Sequence, residues 1–255
     1  MARYVRFKTR IILKPSADGD ELPGKVLVVT AHPDDVDFGA AGTIATWTAA
    51  GTEVEYCIVT DGDAGGSDRS VSRGEIIEIR RAEQRRAAEI VGVRSVEFLG
   101  YPDGRVYPTI ELRRDISAAI RRVRPTRVLC PSPERDFALI GASHPDHLAV
   151  GEATMCAAYP DARNPFAHPE LIEAGLEPWS VAELWMMASP RADHAIDITA
   201  VIDRKLEALS AHASQHADPA RIREIVRTFT GELAEAVGFG SGRFAESFFV
   251  VTLPM

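Results

Sequence analysis

Two short segments, far apart in the chain, share the run His-Pro-Asp: Ala31-His32-Pro33-Asp34-Asp35 and Ser143-His144-Pro145-Asp146-His147. Imidazoles and carboxylates are the donors of catalytic zinc sites, where two histidines and one carboxylate bind the ion and a further position is left to water. His32 and Asp35, three residues apart on one turn, form that set together with one histidine of the second segment. Asp34 is adjacent to a ligand but points elsewhere, which frees it to act as general base toward a water whose pKa the metal lowers to about 7. Zinc is the expected ion, and the same donors also accept Fe2+ or manganese.

The second segment predicts its own local geometry. Proline is favoured at the first helical position, where its missing N–H costs nothing, so His144 becomes the N-cap and His147 the third helical residue. The positive end of the helix dipole disfavours imidazolium there, and neutral imidazole is the form that binds metal. Taken singly, His-Pro-Asp-Asp is as well explained by a capped helix start. Two such segments, each placed after a strand, point to a shared site. A dinucleotide-binding chain would present Gly-x-Gly-x-x-Gly at the first position; carboxylates stand there instead, and they would repel a pyrophosphate. Asp61 to Arg69 lacks the Gly-Lys-Ser of a phosphate loop and reads as a loop at the rim of the site.

Positioning these segments requires a layered scaffold. Lys25 to Thr30 is a continuous apolar run, as expected of a parallel strand covered on both faces. Beyond it the pattern alternates: helix 40–50, strand 53–60, helix 74–91, strand 95–99, helix 110–122, strand 127–130 and helix 145–158. Strands at 183–188 and 248–253 and helices at 200–211 and 220–237 follow. Residues 4–14 alternate like a half-buried strand that ends at Pro15. Residues 159–181, with four prolines and little periodicity, suggest a lid or binding segment. The expected fold is α/β, a doubly wound, mostly parallel, Rossmann-like sheet with helices on both faces, in a single domain over 1–255. Such sheets bind ligands at the carboxyl ends of their strands, where both segments fall.

Composition narrows the partners. The 255 residues carry 29 Lys+Arg against 37 Asp+Glu, a net charge of −8, which disfavours nucleic acid and anionic membrane surfaces. A hydrophobic share of 45% and a mean hydropathy of −0.07 fit neither a disordered nor a membrane-embedded chain. The basic start is followed only by the short apolar stretch Ile11-Ile12-Leu13, so a cytoplasmic protein is expected. Cys57, Cys130 and Cys156 are isolated and read as buried thiols in a reducing compartment. The alternating segment near the start offers either a sheet edge or a subunit contact, which leaves a homo-oligomer open.

The two motifs, with the Gly39-x-x-Gly42-Thr43 continuation, Arg80-x-x-Glu83, Pro102-Asp103-Gly104, and Lys205 followed by His212-Ala-Ser-Gln215, resemble the LmbE/PIG-L type of zinc-dependent deacetylases. These remove acetyl groups from N-acetylglucosamine-containing molecules. The resemblance implies zinc ligands His32, Asp35 and His147, with Asp34 as general base and His144 as acid or oxyanion stabiliser. It implies further that Asp146 orients His144 and that Arg80 and Asp103 hold sugar hydroxyls of a small amino-sugar substrate. Many members have Glu where this chain has Asp37, and no role carries over for His212. Rival readings keep the same site for another amide, as in a mycothiol-conjugate amidase, or reduce the metal to a staple in a binding module. A staple would normally be closed and rich in cysteine, unlike this donor set.

Overall fold

A computed structural model describes residues 22–66, 68, 70–216 and 218–254, together with the backbone of Lys14 and Pro15. Its strands are β1 (Lys14–Pro15), β2 (Lys25–Thr30), β3 (Glu53–Thr60), β4 (Ser95–Tyr101), β5 (Arg127–Pro131), β6 (Glu183–Met187), β7 (His194–Asp197) and β8 (Ala245–Thr252). The helices are α1 (Asp35–Gly39), α2 (Ala41–Ala49), α3 (Arg73–Ile90), α4 (Ile110–Val123), α5 (Pro145–Cys156), α6 (Pro169–Glu173), α7 (Ile202–Ser210) and α8 (Pro219–Ala236). Among the described residues the strands form one sheet in the order β1-β7-β8-β6-β5-β2-β3-β4. The ladders from β4 to β6 are parallel, and β8 runs antiparallel to both β6 and β7. The fold is thus α/β with a mostly parallel sheet.

The period of two along each strand divides the core. Val26, Val28, Tyr56 and Ile58 face α2, α3, α7 and α8 through Ile44, Ala87, Leu206 and Val226. Leu27, Val29, Cys57 and Val59 face α4 and α5 through Leu112, Ile116, Ala119 and Val150. Every one of these side chains is buried, and full burial of an aliphatic side chain contributes roughly 1.5–3 kcal/mol. The sheet is therefore fixed from both faces.

The chain runs outward from β2 to β3 and β4, then returns to the other side of β2 to form β5 and β6. This reversal lies between β2 and β5, and the segments after those strands open side by side at their carboxyl ends. Three details differ from the expectations drawn from the sequence. The predicted strand 4–14 lies outside the described residues except for Lys14, and Pro15 continues the pairing with β7 instead of ending it. Helix formation after β2 begins at Asp35, not at residue 40, because a one-turn helix precedes the break at Ala40 (φ −148°, ψ 2°). β7 has no counterpart among the predicted strands: four residues are too few to show a period.

The expected lid, 159–181, lies elsewhere. α5 starts at the site, and its 12 residues span roughly 18 Å, so the chain leaves it near the amino ends of the strands. There the buried Arg121 guanidinium donates to the carbonyls of Asp161, Ala162, Asn164, Ala167 and Leu176, and Trp179 Nε1 donates to Pro125 O. The segment, which includes α6, is a structural strap.

Candidate active site

His32 and Asp35 follow β2 directly, and α5 delivers the second motif. His144 is the N-cap of α5, Pro145 opens the helix, and His144 Nδ1 accepts the Asp146 N–H at 3.2 Å. The helix reaches this position because Gly151 lets it press on the end of β5. A Cβ at Gly151 would lie 2.5 Å from Pro131 O and 2.8 Å from Pro133 N.

Donor atoms of three residues converge from the two motifs. His32 Nδ1 is 3.3 Å from His147 Nε2, Asp35 Oδ1 is 3.0 Å from His147 Nε2, and Asp35 Oδ2 is 3.5 Å from His32 Nδ1. Donors about 2.0–2.1 Å from one ion in a tetrahedral shell sit about 3.4 Å from one another, so the set fits a single small divalent ion. Tautomers agree with this. His147 Nδ1 lies 3.1 Å from Ala142 O, a contact only an N–H can make, which leaves the Nε2 lone pair for a metal. His32 Nε2 lies 3.0 Å from Asp103 Oδ1 and 3.2 Å from Asp146 Oδ2, so its proton sits there and Nδ1 is the open donor. His144 completes the ring cluster, with its centroid 4.9 Å from that of His32.

The local charges favour a cation. Burial opposes a charged His32 ring, but Asp35, then Asp103 and Asp146, outweigh it and push the group up to about 12. His147 is likewise raised by Asp35 against the effect of burial. Burial first, then the Asp35 carboxylate, pushes Asp34 up to about 6, against the pull of Arg80, His212 and His32. Burial, and after it His32 and His147, holds His144 below the ordinary histidine range, so its ring is neutral near pH 7. With Nδ1 accepting the Asp146 N–H, the neutral ring carries its proton on Nε2.

Asp146 meets His144 through its backbone and His32 through its carboxylate. Its N–H, not its carboxylate, fixes the His144 ring, while the carboxylate accepts Gly104 N–H at 2.7 Å and Val106 N–H at 3.2 Å and backs His32. Asp103 comes from the same loop, with one oxygen against His32 and the other accepting Ala64 N–H at 3.1 Å. Arg80 does not lie on a solvated helix face. It is 4% exposed and donates to Pro33 O at 2.6 Å, Asp34 Oδ2 at 3.1 Å and Gly62 O at 3.1 Å. Gly62, at φ +66°, is a position where any Cβ would run into that guanidinium. Gly62 and Gly65 of this loop therefore pack on the guanidinium that holds Asp34.

Other residues join the site that the motifs alone do not mark. Gln84 stands one turn beyond Arg80 on α3, fully buried, and bonds both Asp34 N–H and Asp37. Its place on the same face as Arg80, Ala87 and Ala88 was the available signal. Asp37 Oδ2 is 2.9 Å from His212 Nε2, and both side chains are wholly buried. Lys205 Nζ donates to Asp37 O, Phe38 O and Glu246 Oε1, which closes α1, while Glu246 accepts the N–H groups of Gly42 and Thr43 at the start of α2.

Comparison with known proteins agrees with this architecture. Residues 27–158 match the family of PIG-L, GlcNAc-PI de-N-acetylase. A diacetylchitobiose deacetylase of Thermococcus kodakarensis is 35% identical over 227 residues, covering 87% of this chain and 81% of its own. The protein named probable N-acetyl-alpha-D-glucosaminyl L-malate deacetylase 2 of Bacillus anthracis is 31% identical over 219 residues, covering 83% and 89%. Among solved structures, the N,N'-diacetylchitobiose deacetylase of Pyrococcus horikoshii, complexed with its inhibitor MPG, superposes with a TM-score of 0.83 at 30% identity, covering 90% of this chain and 84% of that one.

Proposed function

The chain belongs to the PIG-L family, that of GlcNAc-PI de-N-acetylase, and from that membership we propose that it hydrolyses the N-acetyl amide of a small N-acetylglucosamine-containing molecule, releasing acetate and a free amine. The observation that carries the reading is the convergence of His32, Asp35 and His147 on one point with Asp34 beside it. A divalent ion on these three residues, zinc in our reading with ferrous iron as the alternative, would polarise the amide carbonyl and make water nucleophilic at neutral pH.

The chain's own groups supply the rest. Asp34, raised to about 6 and steadied by Arg80, accepts a proton from the attacking water as the C–O bond forms. His144, neutral with its proton on Nε2, donates to the developing oxyanion. The Asp34 and His144 pair then returns a proton to the nitrogen as the C–N bond breaks. Asp146 and Asp103 act by holding His32; a sugar hydroxyl at Asp103 would share an oxygen already engaged with His32 or Ala64. Arg80 serves the substrate chiefly by placing Asp34.

The test is acetate release from a panel of small N-acetylglucosaminides by metal-loaded wild type and Asp34→Asn. The wild type should turn over at least one member, and the variant should lose about 100-fold or more of kcat while keeping its metal. Full activity in Asp34→Asn would remove Asp34 as the base, and no acetate from any member would sink the substrate class.

A further inference from the structure

One helix grips both polar atoms of a single peptide bond. Arg80 Nη2 donates to Pro33 O at 2.6 Å, and Gln84 Oε1 accepts Asp34 N–H at 2.8 Å. The two side chains stand i,i+4 on α3 and so lie one above the other on the same face. The peptide they hold leads into Asp34 at φ +87°, a region that L residues seldom occupy. How that peptide is turned decides where the Asp34 carboxylate can reach.

The grip works only if the Gln84 amide points the right way. A half-turn of the amide would set its NH2 against Asp34 N–H, two donors facing each other, in a place that water does not reach. What prevents it is Asp37: the Gln84 NH2 donates to Asp37 Oδ2 at 3.0 Å, and a flipped amide would set its own oxygen against that carboxylate oxygen, two acceptors facing each other. The same oxygen faces His212 Nε2 at 2.9 Å. All three side chains are wholly buried.

We infer that Gln84 is a positioning residue for the hydrolysis, holding the Asp34 backbone in its catalytic orientation, and that the Asp37 and His212 pair is the latch that fixes its amide. The inference rests on Asp34 being the base. It also accounts for the aspartate at position 37, which here reaches an amide and an imidazole at once.

The experiment uses the metal-loaded enzyme, with zinc affinity measured separately by competition with a chelator. Gln84→Met removes both hydrogen bonds at similar volume; kcat should fall by about tenfold to 100-fold, with KM and zinc affinity unchanged. Gln84→Glu and Asp37→Asn should each lower kcat, the first by setting two carboxylates together and the second by freeing the amide to flip. The double variant reverses the polarity of the network. The new carboxylate accepts from Asp34 N–H and from the new amide at 37, whose second N–H meets His212 Nε2 in the other tautomer. Its kcat should exceed that of either single variant by about tenfold, a coupling that separate packing losses would not give.

Wild-type kcat in Gln84→Met, with Asp34→Asn inactive, overturns the clamp and leaves the base in place. Full activity in Asp34→Asn instead overturns the base and the clamp with it. A fall in kcat accompanied by lost zinc or raised KM assigns Gln84 to site assembly and also overturns the inference, as does a double variant no better than the singles. If Gln84→Met does not fold, the Gln84→Glu and Asp37→Asn cycle decides the matter by itself: recovery in the double variant supports the clamp, and no recovery overturns it.

Discussion

Asp35 binds the two motifs to each other: its Oδ1 lies 3.0 Å from His147 Nε2, while its Oδ2 accepts the backbone N–H of His32 at 2.8 Å. The carboxylate thus orients the turn after β2 and faces the helix that follows β5. His147 brings Nε2 to the His32 and Asp35 donors from that helix, whereas the His144 ring, in the same cluster, has Nδ1 taken up by the Asp146 N–H. His147→Ala should therefore lower zinc affinity by at least about 100-fold, more than the usual effect of losing an outer-shell partner. His144→Ala should keep its metal and lose about 100-fold to 1,000-fold in kcat, the scale of a lost oxyanion donor. Elemental analysis after dialysis, paired with acetate release, separates the two. Metal lost from the His144 variant and kept in the other would exchange their roles.

The position of α5 depends on a missing side chain. With Pro131 O and Pro133 N at 2.5 and 2.8 Å from the place a Cβ would take, Gly151→Ala must push the helix away from β5. We expect a loss of about 1–3 kcal/mol in stability, the usual cost of overpacking, and weaker zinc binding because His147 moves with the helix. Gly74→Ala is the control: nothing lies within 4 Å of its Cβ position in the first turn of α3, and it should stabilise by about 0.5–1 kcal/mol. Denaturant titration of apo and zinc-loaded protein reads both effects. Equal zinc affinity in Gly151→Ala and wild type would show that α5 can shift without moving its ligand.

Where the sequence is legible, the reason is periodicity. The buried strands β2, β3 and β5 and the long helices α3 and α4 announce themselves because many residues repeat one pattern. The two His-Pro-Asp segments stand out because proline fixes a helix start beside chemically distinctive side chains. Short elements such as α1, α6 and β7 are set by tertiary contacts: Lys205 closes α1, and β8 recruits β7. The direction of the 159–181 segment follows from the length of α5 and from one arginine, neither of which marks the segment itself. Gln84 is hidden for another reason: an amide on a charged helix looks like a solvated residue until its face is known to be buried.

Thiol reactivity offers a check on the sheet. Burial pushes the Cys57 and Cys130 thiols far up, with Glu97 adding to the effect at Cys57; both sit inside strands with no exposed surface. Cys156, at the end of α5, is partly exposed, and its pKa is raised by burial and then by Glu152. A raised pKa means less thiolate at neutral pH, so labelling of the native protein by a disulfide reagent should be slow at pH 7 and faster as pH rises. It should stop at one of the three thiols, all three becoming reactive in denaturant. Rapid modification of Cys57 or Cys130 at neutral pH would mean that the central strands open more readily than their packing implies.

Arg121 separates the strap from the chemistry. It serves five carbonyls of the 161–176 region from a position 1% exposed, and Arg113 pairs with Asp161 at 2.8 Å beside it. Replacing it with an apolar residue leaves those carbonyls short of donors, and each such buried group costs about 1–3 kcal/mol unless water reaches it. Arg121→Met should lower stability by roughly 3 kcal/mol or more, with hydrogen exchange rising first in residues 157–181. Because α5 carries the chain away from the carboxyl ends of the strands, kcat and KM per folded molecule should match wild type at a temperature where the variant is folded. A changed KM would bring the strap back to the substrate, contrary to its placement at the opposite end of the sheet.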